Sequence, residues 1–593
     1  MNQRKFLFVL TAWLGAAALA TSLAVAAPVA QNPVPTLVPP TLVPTVEPAL
    51  LDALPSESAI ARIQREGRVR VGILFNEPGF GELSLRTDEN GGLIITGFDA
   101  DLARSLAETW GVEVEFVQVT RQTAVDVLAS GRVELLIAAQ PHLRELNERI
   151  EFSHAYYPAV QAMLVREDDP AFSLAGLAGR RVGIVLGTRG YEAATDYFRR
   201  AGHDVTLVSY YTLDAALAAL SAGEVDGVVE NRLRLARAIA EPGILRLLDE
   251  PVQPEPYAIG IRRQDVNLRN LVNRTLHYLL RSGRLNEIHR ANFAGVDYPT
   301  GTLIAWNGTG DEAPSLSQYN FDLPFPVQYV VPRLQGQRVV RVAGIRDLPN
   351  DAPESERRLD AVHRTLVNAM AERWGVSVVY VPDNGQSPID LVASGAADFA
   401  IGVEPDWNAA DRVDFTNYYL MHGLQLLYET RERINGFGDL RGKAVGIFAS
   451  EPSTAERLRA EAERARAIID NVYTIAREGD VAYAILAATD INLAAVFGDS
   501  MKLIAHLEAN PDELSLLSNA DGRAVWFDRH YLVMAVPRND PDFRLLVEYT
   551  LQELVRDDTL GRTIQPLIRP QDMPLFEVWP GPSTYLGFSL ARG

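Results

Sequence analysis

The chain has no cysteine, too little basic charge to balance its acidic residues and only one long apolar run, and each lack removes a class of function. Without cysteine, structural disulfides, thiolate metal sites, a cysteine nucleophile and lipid attachment to an N-terminal cysteine are all excluded. The 76 Asp and Glu against 56 Lys and Arg leave a formal net charge of −20. That balance argues against binding along a phosphate backbone, which needs clustered basic residues to release counterions, so nucleic acid is not an expected partner. HExxH, a paired His spacing for zinc, the GxxxxGK loop and the GxSxG elbow are all missing, and the nine His are scattered. No catalytic group, metal or cofactor is therefore expected.

The apolar run lies at the start. Met1-Asn2-Gln3-Arg4-Lys5 is basic, Phe6 to Ala20 is apolar and Ala24-Val25-Ala26-Ala27 is small, which is the layout of a secretory signal cut after Ala26 or of an uncleaved N-terminal anchor over residues 1–27. Val481 to Gly498 comes nearest to a second run, but Asp490 and Asn492 interrupt it. Residues 28–55, dense in Pro and Thr, suit an extended spacer that holds the folded part away from an envelope surface.

At 593 residues the chain is too long for one core, and an internal repeat tells how it divides. Trp110-Gly111 recurs as Trp374-Gly375, and Leu128-Ala129-Ser130-Gly131 recurs as Val392-Ala393-Ser394-Gly395, at an offset of 264 by subtraction. Phe152 answers to Phe415, and Leu177-Ala178-Gly179-Arg180 to Leu440-Arg441-Gly442-Lys443, at an offset of 263. Strand-like and helix-like runs alternate through both copies, the pattern of an α/β fold with helices on the faces of a sheet. Within the first copy the pattern restarts at Arg181, so each copy has two lobes. Val160 to Arg166 and Tyr257 to Arg262 stand where the chain crosses between lobes. The expected layout is a first domain over 56–300, a linker over 301–335, a second domain over 336–575 and a tail without clear period over 576–593.

Gly97-Phe98-Asp99-Ala100-Asp101-Leu102-Ala103, Gly111 to Phe116, Phe152-Ser153-His154-Ala155-Tyr156-Tyr157, Gly187-Thr188 and Gly223-Glu224-Val225-Asp226-Gly227 together resemble the family 3 extracellular solute-binding proteins of amino-acid ABC transporters. The resemblance implies two tandem type II periplasmic-binding (Venus-flytrap) clamshells, each lobe a mixed sheet flanked by helices, in which a small polar solute drives lobe closure that a permease or membrane receptor reads. It also implies a ligand site, and both copies depart from it. The arginine that grips a ligand carboxylate falls on Leu146 and on Ala409, with Arg144 or Arg149 a substitute only if the loop shifts; otherwise Arg144 is an ordinary loop arginine. The acid that holds a ligand amine falls on Asn231, beside Glu230, and on Asp499.

In the first clamshell the candidate ligand-binding residues are Phe75, Phe80, Gln140, Arg144, Thr188, Glu230 and Asn231, with Phe75 and Phe80 either stacking on a ligand or packing, and Thr188 either meeting an anionic group or capping a helix. In the second they are Glu404, Asp406, Trp407, Ser450 and Asp499. These acids and the Trp407 ring could surround a cation, or Pro405-Asp406-Trp407 could cap a helix from Trp407 to Asp411. Two other readings stay open: a ligand-sensing or interaction module with degenerate sites, and a dehydratase of the prephenate or arogenate type on the same fold, with Glu230 or Asp499 as the acid.

Overall fold

The computed structural model describes residues 57–87, 93–239, 243–299, 301–487 and 493–591. The expected secretory signal and the Pro-rich spacer lie outside these residues. Each copy of the repeat folds into two lobes, and the strand order is the same in both. In the first lobe of copy one, the sheet runs Glu113–Gln118, Arg68–Ile73, Leu135–Leu136, Tyr257–Arg262, Ile150–Tyr157. In copy two it runs Ser377–Tyr380, Val339–Ala343, Phe399–Val403, His530–Pro537, Val413–Phe415. The first three strands of each are parallel, as βαβ crossovers require, and the strand returning from the other lobe enters antiparallel. The second lobes match as well: Thr206–Tyr210, Arg181–Val185, Gly227–Asn231, Val160–Arg166, Leu245–Leu247 against Asn471–Ile475, Ala444–Phe448, Leu493–Asp499, Leu424–Glu429, Leu514–Leu516. The expected crossing strands are thus strands of the two lobes, and the passages lie at their ends.

Seven helices carry the argument: α1 (Ala59–Glu66), α2 (Arg232–Ala238), α3 (Val266–Arg281), α4 (Val330–Gln337), α5 (Glu354–Trp374), α6 (Ser500–Ala509) and α7 (Pro541–Arg556). α3 buries Leu268, Leu271, Val272, Leu276 and Leu279 along one stripe, and the side chain of its N-cap, Asp265, accepts from the Leu268 N–H at 3.2 Å. Its counterpart α7 is capped by Asp540, which accepts from the Phe543 N–H at 3.2 Å. The indole of Trp110 donates to Thr275 on α3 at 2.9 Å, and that of Trp374 to Thr550 on α7 at 2.8 Å. Arg62 and Arg70 pair with buried Glu134, and Arg333 and Arg341 pair with buried Asp398 in the same arrangement.

That last correspondence corrects the expected linker. α4 repeats α1 at an offset of 271 by subtraction, so the expected boundary at 336 falls inside a helix of the second copy. Leu303 and Leu316, also in the expected linker, are buried against the first copy. The tail is structured too: Thr584–Tyr585 pairs with Phe588–Ser589, and Trp579, Tyr585, Phe588 and Leu590 join the core of copy two. Val481 to Gly498 is split between a helix, Val481–Leu486, and a strand, Leu493–Asp499. Among the described residues no helix is long and apolar enough to cross a membrane.

The two copies meet through corresponding faces. Arg269 on α3 donates to Glu151 of its own copy at 3.0 Å and to Asp414 of the other at 2.6 Å, all three side chains being buried. Burial opposes its charge, but the two carboxylates outweigh burial and hold its pKa above the ordinary value. Replacing Arg269→Met leaves buried Asp414 without its cation and Glu151 with only the more distant Arg544, so the urea midpoint should fall by an amount equivalent to about 3–5 kcal/mol; an unchanged midpoint would mean that this contact does not join the copies.

Candidate functional site

Two segments pass between the lobes of copy two, and a cavity of about 430 Å³ lies at the passage. One segment runs from Leu420–His422, paired with His530–Pro537 in the first lobe, straight into Leu424–Glu429 of the second. Between them Gly423 has φ 152°, and a side chain there would collide with the Asp528 carbonyl oxygen of the other segment. The first lobe faces the cavity with the start of α5 (Ser355, Glu356, Leu359) and with Glu404. The second lobe contributes Glu451, Arg457, Asp499, Met501 and Lys502, and the crossing segments contribute His422, Asp528 and His530.

Asp499 is fixed twice over. One oxygen accepts the Met501 N–H at 2.8 Å and caps α6; the other lies 2.7 Å from His422 Nδ1. The His422 and His530 rings stack at 5.4 Å. His530 Nδ1 lies 3.3 Å from Glu404, which also accepts from Asn307 Nδ2 at 2.7 Å. The basic groups at the wall are engaged: Lys502 meets Glu451 at 2.6 Å and Ser450 at 2.8 Å, and Arg457 meets Glu461 at 3.1 Å and the Phe527 carbonyl. Glu356 is matched by Arg346 at 3.1 Å. Among the described residues, no Lys or Arg pairs with Glu404, Asp499 or Asp528.

The corresponding space in copy one is bridged by the protein itself. Glu77 of the first lobe receives Arg121 at 2.7 Å and, from the second lobe, Arg234 on α2 at 3.1 Å. Asn231 caps α2 as Asp499 caps α6, and its amide donates to the Tyr257 hydroxyl across the passage at 2.9 Å. Arg189 of the second lobe donates to buried Glu255 at 2.8 Å.

The sequence pattern of the bacterial extracellular solute-binding proteins, family 3, matches residues 72–295 and 358–566, more than half of the chain. The chain belongs to this family. A glutamine-binding protein of Geobacillus stearothermophilus is 29% identical over 214 residues, covering 35% of this chain and 78% of the relative. The ABC transporter glutamine-binding protein GlnH of Bacillus subtilis (strain 168) is 26% identical over 200 residues, covering 33% and 72%. Among solved structures, a mutant of ArgBP from T. maritima is 27% identical and covers 40% of this chain and 99% of that one, with a TM-score of 0.32.

Of the residues picked out in the family 3 sequence, Glu404 and Asp499 come together at this cavity, and Ser450 stands behind its wall, accepting from Lys502 Nζ. Trp407 and Asp406 do not. The Trp407 indole donates to His277 of copy one at 3.2 Å, and residues 407–412 form turns where a helix was expected, with the Asp406 side chain accepting the Asn408 N–H at 2.9 Å. Arg144 is no ligand arginine: its side chain is wholly buried against Glu553 at 2.6 Å and Gln552 at 2.8 Å of α7. Burial lowers its pKa to about 10.

In copy one, Phe80 packs among Phe98, Tyr157, Tyr257 and Phe293, and half-buried Phe75 lies against Ile73, Ile95 and Ala100. Thr188 donates to the Val185 carbonyl at 3.0 Å and Gln140 to that of Pro141 at 3.1 Å, while buried Glu230 accepts the Asn231 N–H at 2.9 Å. His422 and His530, two of the scattered histidines, stand at the two inter-lobe passages, and that place is the signal the sequence offers for them.

The hydrogen bond to Glu404 raises His530 above its ordinary 6.5, and the same bond lowers Glu404 below its ordinary 4.5. The histidine's share of stability is therefore present below pH 6.5 and lost as pH rises through its raised value, while the glutamate's is present above pH 4.5 and lost as pH falls through its lowered value. Thermal midpoints of His530→Gln should fall furthest below those of the unmodified protein between pH 4.5 and pH 6.5 and converge with them as pH rises through the raised histidine value. A difference independent of pH would remove the ion pair from the site.

Proposed function

We propose that this chain is an extracytoplasmic solute-binding protein that captures a small polar solute, amino-acid-like or an amine, between the lobes of its second clamshell and presents it to an ABC importer. The cavity of about 430 Å³ carries the reading, because it is of a size for a small molecule, sits at both inter-lobe passages and is faced by polar groups from each lobe. A solute touching both walls favours the closed arrangement, and closure is what a permease can read. The relatives' names as glutamine-binding and histidine-binding proteins support the class of function, and their family places its members outside the cytoplasm.

The first clamshell, bridged by Glu77 and Arg234, favours a second role there: a docking module for the permease or for a membrane receptor. A thermal-shift screen of the full chain against amino acids, amines and small carboxylates tests the reading. One solute class should raise the midpoint in a saturable way, with the shift reduced in Glu404→Gln. If no class raises it, capture fails as the function and the docking role becomes the main one.

A further inference from the structure

The second cavity combines three acids that pair with histidine but with no Lys or Arg among the described residues, and a buried histidine nitrogen that lacks any partner. Glu404, Asp499 and Asp528 are held only by neutral donors, backbone N–H groups and histidine. His422 lines the same cavity and its side chain is 11% exposed; its buried Nε2 has no hydrogen-bond partner. When the imidazole is neutral, the Nδ1 proton given to Asp499 leaves Nε2 as an acceptor, and an acceptor buried without a donor is unfavourable. The group that would satisfy Nε2 carries N–H bonds, and the group that would balance the acids carries positive charge.

A ligand carboxylate has no receiver here. Ala409 stands where the family arginine would be, and both basic side chains on the wall are already engaged.

We infer that the second clamshell takes a primary or secondary alkylammonium ion without a carboxylate, its N–H groups shared between His422 Nε2 and the Glu404 and Asp499 carboxylates. This deepens the proposed function and rests on its choice of cavity. A free amino acid would bring a carboxylate into an acidic cleft. A quaternary ammonium would bring the charge without the N–H donors and so leave Nε2 unsatisfied.

Calorimetric titration of the full chain with 1,4-diaminobutane and n-butylammonium, against tetramethylammonium, butyrate, L-glutamine and L-histidine, separates the possibilities. The diamine or the monoamine should bind with a stoichiometry of one. Its affinity should be at least about tenfold above that of tetramethylammonium and of both amino acids, and at least about tenfold weaker in Asp499→Asn and in Glu404→Gln. Because either variant could disturb folding, ¹⁵N spectra of the histidine rings in the unmodified protein give a second reading: the amine should move the His422 Nε2 resonance and leave that of His142 in place.

Binding of an amino acid or of butyrate that is weakened by Asp499→Asn would overturn the alkylammonium class while keeping the cavity. Amine binding that survives both variants and is lost in Glu77→Gln would overturn the choice of cavity. No heat with any of the six probes, and no movement of the histidine resonances, would overturn the inference.

Discussion

Arg269 is the point on which the arrangement of this chain depends. Its guanidinium lies between Glu151 and Asp414, which occupy corresponding positions in the two copies of the repeat. Two buried carboxylates from two clamshells thus share one cation, and Arg544, the counterpart of Arg269 on α7, stands 4.0 Å from Glu151. A buried charge cluster of this kind is weak evidence for stability but tolerates few alternative arrangements, because moving either copy strands an uncompensated charge. Around it the contacts also come in matched sets. The His154 N–H, within strand Ile150–Tyr157, donates to Asn273 on α3 at 2.8 Å, and the Asn417 N–H, just after strand Val413–Phe415, donates to Glu548 on α7 at 2.8 Å.

Joining the copies on this face has a consequence for ligand choice. The loops that would carry a carboxylate-gripping arginine, around Leu146 and Ala409, lie at the same interface. Arg144 is enclosed by α7 and the tail, donating to the Pro582 carbonyl at 2.9 Å, and His142 stacks on Trp579 with ring centres 3.6 Å apart. On the other side, Trp407 meets His277, and Asn270 reaches the Ala410 carbonyl. Side chains engaged between copies are not free to face a cleft. The chemistry of each cleft then falls to the inter-lobe passages, where copy one has Tyr257, Asn231 and an ion pair, and copy two has two histidines and the acids they meet.

Much of the fold was legible in the sequence because duplication repeats its landmarks. Trp110 and Trp374 each tie a long helix to the hydroxyl of a threonine, so the Trp-Gly pairs marked real structural equivalents. α1 carries its buried residues Ile60 and Ile63 at helical spacing, whereas its copy α4, with Pro332 and Gly336 inside it, reads as linker. The signal that would have found it was the pair Arg333 and Arg341, spaced like Arg62 and Arg70 and meeting an acid in the same way. The tail carries no period because it is anchored by separate contacts, Trp579 on Gln552 and Tyr585 on Asp542, instead of by a regular face. Asp499 stands at a register that the family resemblance assigns, and Glu404, another candidate, lines the same cavity. The fate of Arg144 and Trp407 was not legible, since both are placed by contacts more than a hundred residues away in the chain.

The loops around Leu146 and Ala409, where the family resemblance would place a carboxylate-gripping arginine, are enclosed between the copies, and hydrogen exchange of the full chain tests this most directly. The Arg144 N–H donates to the Pro580 carbonyl and the Trp407 N–H to that of Asn307, both at the interface. Their amides should therefore exchange about as slowly as those in the middle of α3 and α7. If they exchange as fast as the exposed turn at Gly522, the loops open to solvent independently of the core, and the account of ligand choice built on their enclosure is wrong.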